Sequence, residues 1–436
     1  MNIIESLAWL DSRVDHETSS GSGIAAGKLD GVSLEPMREL MALLGDAQDT
    51  VPVIQITGTN GKGTVAAMIT ALLMTHGLSV GTYTSPHVEQ INERISRDGQ
   101  PIGDEDLAEV LSGIAAVEQL LDSRPSWFEV MTAAAFRWFS EAPVDVAVVE
   151  VGLLGRYDAT NVAEARVAVV TSIGGDHTDF APGWEQAVAS EKAGIIGPGS
   201  TAVLGRIAPE LVAVFNAEGP AELVLAGVDL TVESDQLAVG GHMVDLRGRH
   251  GTYTEVFVPM HGAHQIDNAV VAVAAVEAFF DRELSVELVR EALRGVQIPG
   301  RFEVVGHHPL VVLDGAHNPD ALERVSATLD AEFHPVGSRL VVLGQLAGRD
   351  PDAAVAALTA MRPDLVLCTS LEGDRGVPAA VLAAACDRAG LTREVVADPT
   401  AAVARALAMA AEEDSVVITG SFRLLAPARR ALRAQG

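Results

Sequence analysis

The chain has 436 residues, 48% of them hydrophobic and 20% charged, a globular composition long enough for two or three cores of ~100–200 residues each. Its net charge of −29 argues against a nucleic-acid or anionic-membrane surface, since both need a basic footprint. No run reaches the ~18 apolar residues of a membrane span, and the opening MNIIESLAWLDSRVDHETSS has no basic leader region, so a cytoplasmic protein is expected.

The cations that remain are unevenly written. Of 30 basic residues only Lys28, Lys62 and Lys192 are lysine. Lysine offers a compact point charge and an amine that can lose its proton, and arginine offers neither. Lys62 and Lys192 therefore stand out. Cys368 and Cys386 both lie in apolar stretches and read as buried free thiols of a reducing compartment.

In chain order, residues 15–30 (DHETSSGSGIAAGKLD) read as a mobile loop. From residue 51, apolar strand, turn and amphipathic helix repeat. VPVIQIT, SVGTYTS, DVAVVEV, ARVAVVTSI and TAVLG are short, β-branched and nearly continuous in apolar residues, as fully buried parallel strands are. Helical stretches such as VMTAAAFRWFSEA and GWEQAVASEKAGII fall between them. The reading is an α/β fold, a doubly wound and mostly parallel sheet with a P-loop and a ligand crevice at the carboxyl ends of the strands. Residues ~220–260 alternate and turn often, as a small antiparallel patch does. HQIDNAVVAVAAVEAFF restores a helix. After IPGRFEVV a second, smaller series begins: LVVLDGAHNPDALERVSATL, SRLVVLGQLA, DLVLCTS, TREVVAD and SVVITGS. The Ile-Pro-Gly punctuation divides the chain into domains at 1–298 and 299–436, the second a Rossmann-like α/β unit.

Three strand ends carry chemistry. ITGTNGKGT places Gly58, Thr59, Asn60, Gly61, Lys62, Gly63 and Thr64 between a strand and a helix. Backbone N–H groups and a positive helix end then aim at one point, which makes an anion site. Lys62 can bridge terminal phosphates and the Thr64 hydroxyl can reach a magnesium ion. A plain tight βα turn is the bland alternative, but three glycines, a lysine and a hydroxyl within seven residues favour the phosphate reading. A dinucleotide fingerprint expects G-x-G-x-x-G, which Gly58, Gly61 and Gly63 do not fit. Glu150 ends the strand of VVEVGLLGRYDATN, where a buried carboxylate is costly unless it meets a cation or metal. His177 follows the strand of TSIGGDHTDF. With Ser85 of YTSPH, these make a hard oxygen/nitrogen set suited to magnesium with waters and phosphate. Lys192 follows on the next helix, either paired with Glu185 or Glu191 or with its amine turned towards the metals, where a carbamate formed from CO2 requires a neutral lysine.

GTNGKGT, TSPHVEQINERISRDG, FEVMTAAAF, VEVGLLGRYDATN, DHTDF, SEKAGI, HQIDNA, PGRFEVV, DGAHNPDA and VVITGSF occur in order from about residue 32 to 425. In these motifs the chain resembles the folylpolyglutamate synthase/dihydrofolate synthase family of Mur-type ATP-dependent ligases. The resemblance implies an amide-forming ligase that joins L-glutamate to the carboxylate of a folate or of dihydropteroate, through an acyl phosphate, giving ADP and phosphate. It implies ATP, two magnesium ions, a potassium ion as a further candidate, and a monomer. Position by position, it puts Lys62 and Thr64 on the ATP phosphates and magnesium. It makes Ser85, Glu150 and His177 metal ligands and Lys192 the carbamylated lysine. Asn268, Arg301 and Asp314 fall where the family contacts ATP, and Lys62, His177, Lys192 and Arg301 form the catalytic set. His317 and Ser421 fall near the incoming glutamate, and Phe128, Asp158 and Ala159 line the pterin pocket. Closure of the two domains, hinged near 298–300, is expected to exclude water.

The chain departs from that pattern in places. GLLGRYDATN stands where GLGGRLDATN is usual, GGDH for GLDH, DFAPGW where a Leu-Gly pair follows the histidine, and GRD at 348–350 for DKD. These changes leave the choice of acceptor open and keep a related ligase for another carboxylate as the alternative. A peptidoglycan-type Mur ligase would need a sizeable domain before the P-loop, and only 57 residues precede Gly58. A nucleotide-binding regulator would not need the metal set and lysine.

Overall fold

The computed structural model describes residues 1–14, 26, 33–176, 178, 180–371, 373 and 376–434. The segment read as a loop at 15–30 lies outside the described residues apart from Ala26. His177 lies outside them as well.

The chain divides into two compact units. One comprises Met1–Gln236, His242–Pro259 and Ile266–Val296; the other comprises Leu237–Gly241, Met260–Gln265 and Gln297–Gly436.

In the first unit, the β-branched segments pair as parallel strands because both of their faces are apolar. The strands are β1 (Val53–Thr57), β2 (Val80–Tyr83), β3 (Ile95–Arg97), β4 (Gln100–Pro101), β5 (Val146–Glu150), β6 (Ala165–Val170), β7 (Thr201–Leu204) and β8 (Glu222–Leu225). They form one sheet in the order β4-β3-β2-β5-β1-β6-β7-β8. The run from β2 to β8 is parallel, and β3 and β4 add an antiparallel edge beside β2. Every residue of β1, β2 and β5 is buried. Between β5 and β6, the P-loop strand β1 is central, so its carboxyl end opens at the middle of the sheet edge. That position suits a crevice in a doubly wound fold.

One face of the sheet is covered by Ile3–Asp11, Glu35–Leu43, Asp104–Glu118 and Trp127–Glu141. Their apolar stripes join Tyr83, Ile95, Ala147 and Val149 of the strands in a single core. Another core packs Ala189, Ala193, Ile195 and Phe215 against Ala168, Val170, Ala202 and Leu204.

The antiparallel patch is smaller than its sequence suggested. Glu222–Leu225 is the eighth strand of the parallel sheet, hydrogen-bonded to β7. The patch proper is β9 (Thr231–Ala238), β10 (Gly241–Arg247) and β11 (Thr252–Val258). Edge strands are wetted on one side, so β8 alternates much as an antiparallel strand does.

In the second unit, β12 (Glu303–His307), β13 (Leu310–Leu313), β14 (Arg339–Leu343), β15 (Leu365–Cys368), β16 (Arg393–Val395) and β17 (Ser415–Thr419) form a sheet in the order β12-β13-β17-β14-β15-β16. Only β12 is antiparallel.

Candidate active site

The glycine turn after β1 is built to stay open. The helix Lys62–Thr75 begins at Gly61, which has φ 89° and makes no side-chain cap, and its first turn holds no acid. No side chain of the helix itself therefore caps its first N–H groups, as an anion site requires. A Cβ added at Gly61 would stand 2.6 Å from Asn268 Oδ1. The glycine thus does two jobs: it permits the left-handed conformation and lets the Asn268 amide reach the loop. Lys62 Nζ donates to the Gly58 carbonyl at 3.1 Å, folding back over the loop. Thr64 is 1% exposed.

The loop is laced to the end of β6. Thr59 N–H donates to the Ser172 carbonyl. Asn60 N–H donates to Ser172 Oγ at 3.1 Å, and the Asn60 carbonyl accepts from Thr171 Oγ1 at 2.6 Å and from Ser172 Oγ at 3.1 Å. Thr59 Oγ1 pairs with the backbone of Gly174 in both directions. Sequence reasoning passed over Thr171 and Ser172, though two adjacent hydroxyls at the end of an apolar strand were the available signal.

Glu150 ends β5 and is 3% exposed. Its Oε2 accepts the Ser85 N–H at 3.1 Å, and a Cβ at Gly63 would lie 3.4 Å from that same oxygen. Glu150, the Ser85 loop and the start of the P-loop helix therefore meet at one place. Among the described residues no group of three or more His, Cys, Asp or Glu gathers round a single point. Near the buried Glu150 carboxylate the chain offers two hydroxyl-bearing residues, Ser85, whose N–H it accepts, and Thr64, which follows Gly63. Such an all-oxygen set is too sparse for a dedicated metal cage but fits magnesium, which keeps several waters and takes ligands from phosphates.

Lys192 is 3% exposed, and among the described residues no carboxylate pairs with it, so the pairing with Glu185 or Glu191 is not made. Burial is the main reason that its amine is pushed down to about 7. The Lys62 charge lowers it further, while Asp176 and Asp158 raise it. A neutral lysine near pH 7 is what carbamate formation needs. Glu191 supplies its backbone to Arg156.

The loop after β5 is held by its own aspartate. Asp158 Oδ1 accepts from Thr160 N–H at 3.0 Å and Thr160 Oγ1 at 2.5 Å, and Oδ2 accepts from Leu153 N–H at 2.8 Å. Gln55, buried in the middle of β1, donates to Thr160 Oγ1 at 3.1 Å. The P-loop strand and the Asp158–Ala159 loop are thereby joined through one hydroxyl, and Gln55 is a second residue that sequence reasoning missed. A glutamine inside an otherwise apolar strand was its signal. Phe128, near the start of Trp127–Glu141, packs at a tilt against Tyr83, with ring centroids 5.9 Å apart. Its ring fills the space that Gly152 leaves, because a Cβ there would collide with it.

In the second unit, Asp314 is buried at the end of β13. It accepts the Phe302 N–H and the Ala316 N–H, both at 2.7 Å. Burial raises its pKa, and Arg301 and these two donors oppose that rise. Arg301 lies over the Phe422 ring at 4.3 Å. His317 Nδ1 faces the Gly315 carbonyl at 2.9 Å, and its own carbonyl accepts from Arg349 at 3.1 Å. Ser421 is buried and caps the short turn Phe422–Leu424. Arg301, Asp314, His317 and Ser421 thus surround Phe422 and the carboxyl ends of β13 and β17, as one group within that unit.

Two family models match the chain: the Mur ligase middle domain over residues 128–276 and the Mur ligase glutamate ligase domain over residues 300–422. The dihydrofolate synthase/folylpolyglutamate synthase of Mycobacterium tuberculosis is 41% identical over 350 residues, 75% of this chain and 72% of that protein. The chain belongs to the folylpolyglutamate synthase/dihydrofolate synthase family. Solved members agree with the fold along nearly its whole length. A folylpolyglutamate synthase of Mycobacterium tuberculosis complexed with ADP superposes with a TM-score of 0.90 at 36% identity, covering 99% of this chain and 98% of that one. A bifunctional folylpolyglutamate synthase/dihydrofolate synthase with Mn, AMPPNP and L-glutamate bound superposes with a TM-score of 0.85 at 29% identity, over 99% and 98% of the two chains. As a family member, the protein is an ATP-dependent, amide-forming ligase.

Proposed function

We propose that the chain joins L-glutamate to the carboxylate of a folate, with dihydropteroate as a second acceptor, at the expense of ATP. The observation that carries this is the meeting, at one sheet edge, of an open P-loop, the buried Glu150 and the low-pKa Lys192 in a chain of this family.

The first-turn N–H groups and Lys62 hold the nucleotide's phosphates, with Asn268 packed on Gly61 to fix the loop's shape. Thr64, Ser85 and Glu150 would hold a divalent cation, and His177 completes the set read from sequence. When bound, that cation offsets charge on the phosphates. Lys62 also draws the γ-phosphoryl group in line with the acceptor carboxylate. A carboxylate oxygen attacks phosphorus and ADP leaves, giving an acyl phosphate. The glutamate amine then attacks the acyl carbon, releasing phosphate and a proton, and the amide bond is made. Phe128, Asp158 and Ala159 line the acceptor side, and His317 and Ser421 serve the glutamate side. Lys192 carries a carbamate whose negative charge turns a buried amine into a further oxygen ligand beside Lys62. Manganese, AMPPNP and L-glutamate in one solved relative, and ADP in another, support this reading.

The route has a direct test. With 18O placed in the acceptor's carboxylate, one labelled oxygen is expected in each phosphate released. Unlabelled phosphate alongside amide product would rule out the acyl phosphate.

A further inference from the structure

The chain's two cysteines take no part in the chemistry above. Cys368 is the last residue of β15, and Cys386 lies in the helix Ala379–Arg388, 18 positions further on. Both are fully buried in the same apolar core, with Val366, Val377, Leu382 and Ala383 around them. Both are free. Their sulfurs stand 3.8 Å apart, within hydrogen-bonding distance of each other. A sequence that contains two cysteines in all has brought them into contact, and we propose that they are a reversible oxidation site, a dithiol that peroxide converts to an intramolecular Cys368–Cys386 disulfide.

The geometry supports closure without unfolding. A disulfide needs S–S near 2.05 Å, so each sulfur must move by about 0.9 Å towards the other. Both backbones are tied into regular structure: the Cys368 carbonyl accepts from Val396 N–H at 3.0 Å, and the Cys386 carbonyl accepts from Leu391 N–H at 2.9 Å. Rotation of the two side chains is the motion that the proposal requires. Either sulfur can donate in this contact, so either cysteine can react first and the other resolve it.

The steps balance with hydrogen peroxide as the oxidant. The thiolate of one cysteine attacks a peroxide oxygen, forming the sulfenic acid and expelling hydroxide. The other thiol then attacks that sulfur, the S–S bond forms, and water leaves. In sum, two thiols and one peroxide give one disulfide and two waters.

The bond would strap the β15–helix connection, which begins at the sheet edge that also carries His317 and Ser421. Thr369 N–H donates to the Leu343 carbonyl there, and Val377 N–H donates to the Gln345 carbonyl at 2.8 Å. Closing a loop of this size raises stability chiefly by restricting the unfolded chain.

The test uses the full-length native protein, treated with hydrogen peroxide in modest excess and then denatured in a thiol-alkylating reagent. The expected result is a mass lower by two hydrogens, no alkylated thiols, and a non-reduced peptide linking Cys368 to Cys386. Dithiothreitol should restore both thiols. The melting temperature should be several degrees higher before reduction than after it. Cys368→Ser should abolish the crosslink and leave Cys386 to gain oxygen instead. Unreacted thiols, sulfinic acid at either cysteine of the wild type, or crosslinks between chains would each overturn the proposal.

Discussion

Lys192 shares its helix with Glu185 and Glu191, and a surface ion pair was the ordinary expectation for it. The structure buries it instead, near a second lysine, and the cost of burying its charge is what brings its amine down to about 7. The sign for stability follows. Between about 7 and the ordinary 10.5, the unfolded chain binds more protons at this residue than the folded one. This group's contribution therefore rises with pH across that window and is lost as pH falls towards 7. In CO2-free buffer, Lys192→Met should show a flatter rise of unfolding free energy from pH 7 to 10.5 than the wild type in denaturant titrations; equal slopes would contradict the burial. In 13C-bicarbonate the wild type alone should show a carbamate carbon by NMR. Gly152 poses a simpler question of space. Gly152→Ala puts a methyl group into the Phe128 ring, and we expect the acceptor KM to rise by ~10-fold, a 1.4 kcal/mol effect, with the KM for ATP unchanged. An equal rise in both would mean that the loop as a whole had moved. Lys62, Glu150 and Lys192 could be singled out in the sequence because each is a residue type out of place in its stretch. Thr171, Ser172 and the Gln55–Thr160 link were not, because a hydroxyl or amide in a sequence does not announce which backbone it will meet.

The elements were read with greatest security where both faces of a strand are apolar. β1, β5 and β6 are rich in β-branched residues and bounded by turn residues, so period and composition agreed. β3, β4 and β12 were not read. The first two are two or three residues long, and pairing with β2 rather than local propensity makes them strands. β8 was assigned to the wrong sheet, since edge position produces the same alternation as an antiparallel hairpin. Helix starts are set by local chemistry and can be tested one at a time. In Trp127–Glu141, Ser126 Oγ accepts the Glu129 N–H and Glu129 Oε2 accepts the Ser126 N–H. Removing this box by Ser126→Ala should cost about 1 kcal/mol of stability, read as a lower denaturant midpoint at constant slope. Because Phe128 lies in that first turn, the acceptor KM should rise with it; an unchanged midpoint would show that packing, not the cap, sets the helix start.

At the scale of the whole molecule, the strong acidity that argued against nucleic-acid partners coexists with a local pair of lysines, Lys62 and Lys192, close enough to lower the second amine. Placed cations, not net charge, make the anion site. Two sheets of different size each carry one group of residues, the first the P-loop and the second the group around Phe422. Among the described residues no helix is long and apolar enough to cross a membrane. The choice of acceptor was the least legible feature, because a sequence such as GLLGRYDATN does not state the shape its loop takes. In that loop Leu154 adopts φ 56° and Tyr157 is exposed. The most direct measurement is phosphate release from magnesium-ATP by the purified protein, with L-glutamate and either dihydropteroate or tetrahydrofolate, and with each component left out in turn. The account predicts release only when nucleotide, glutamate and a folate-type acceptor are all present. Release without glutamate or acceptor, or none with either acceptor from a protein that still binds ATP, would contradict it.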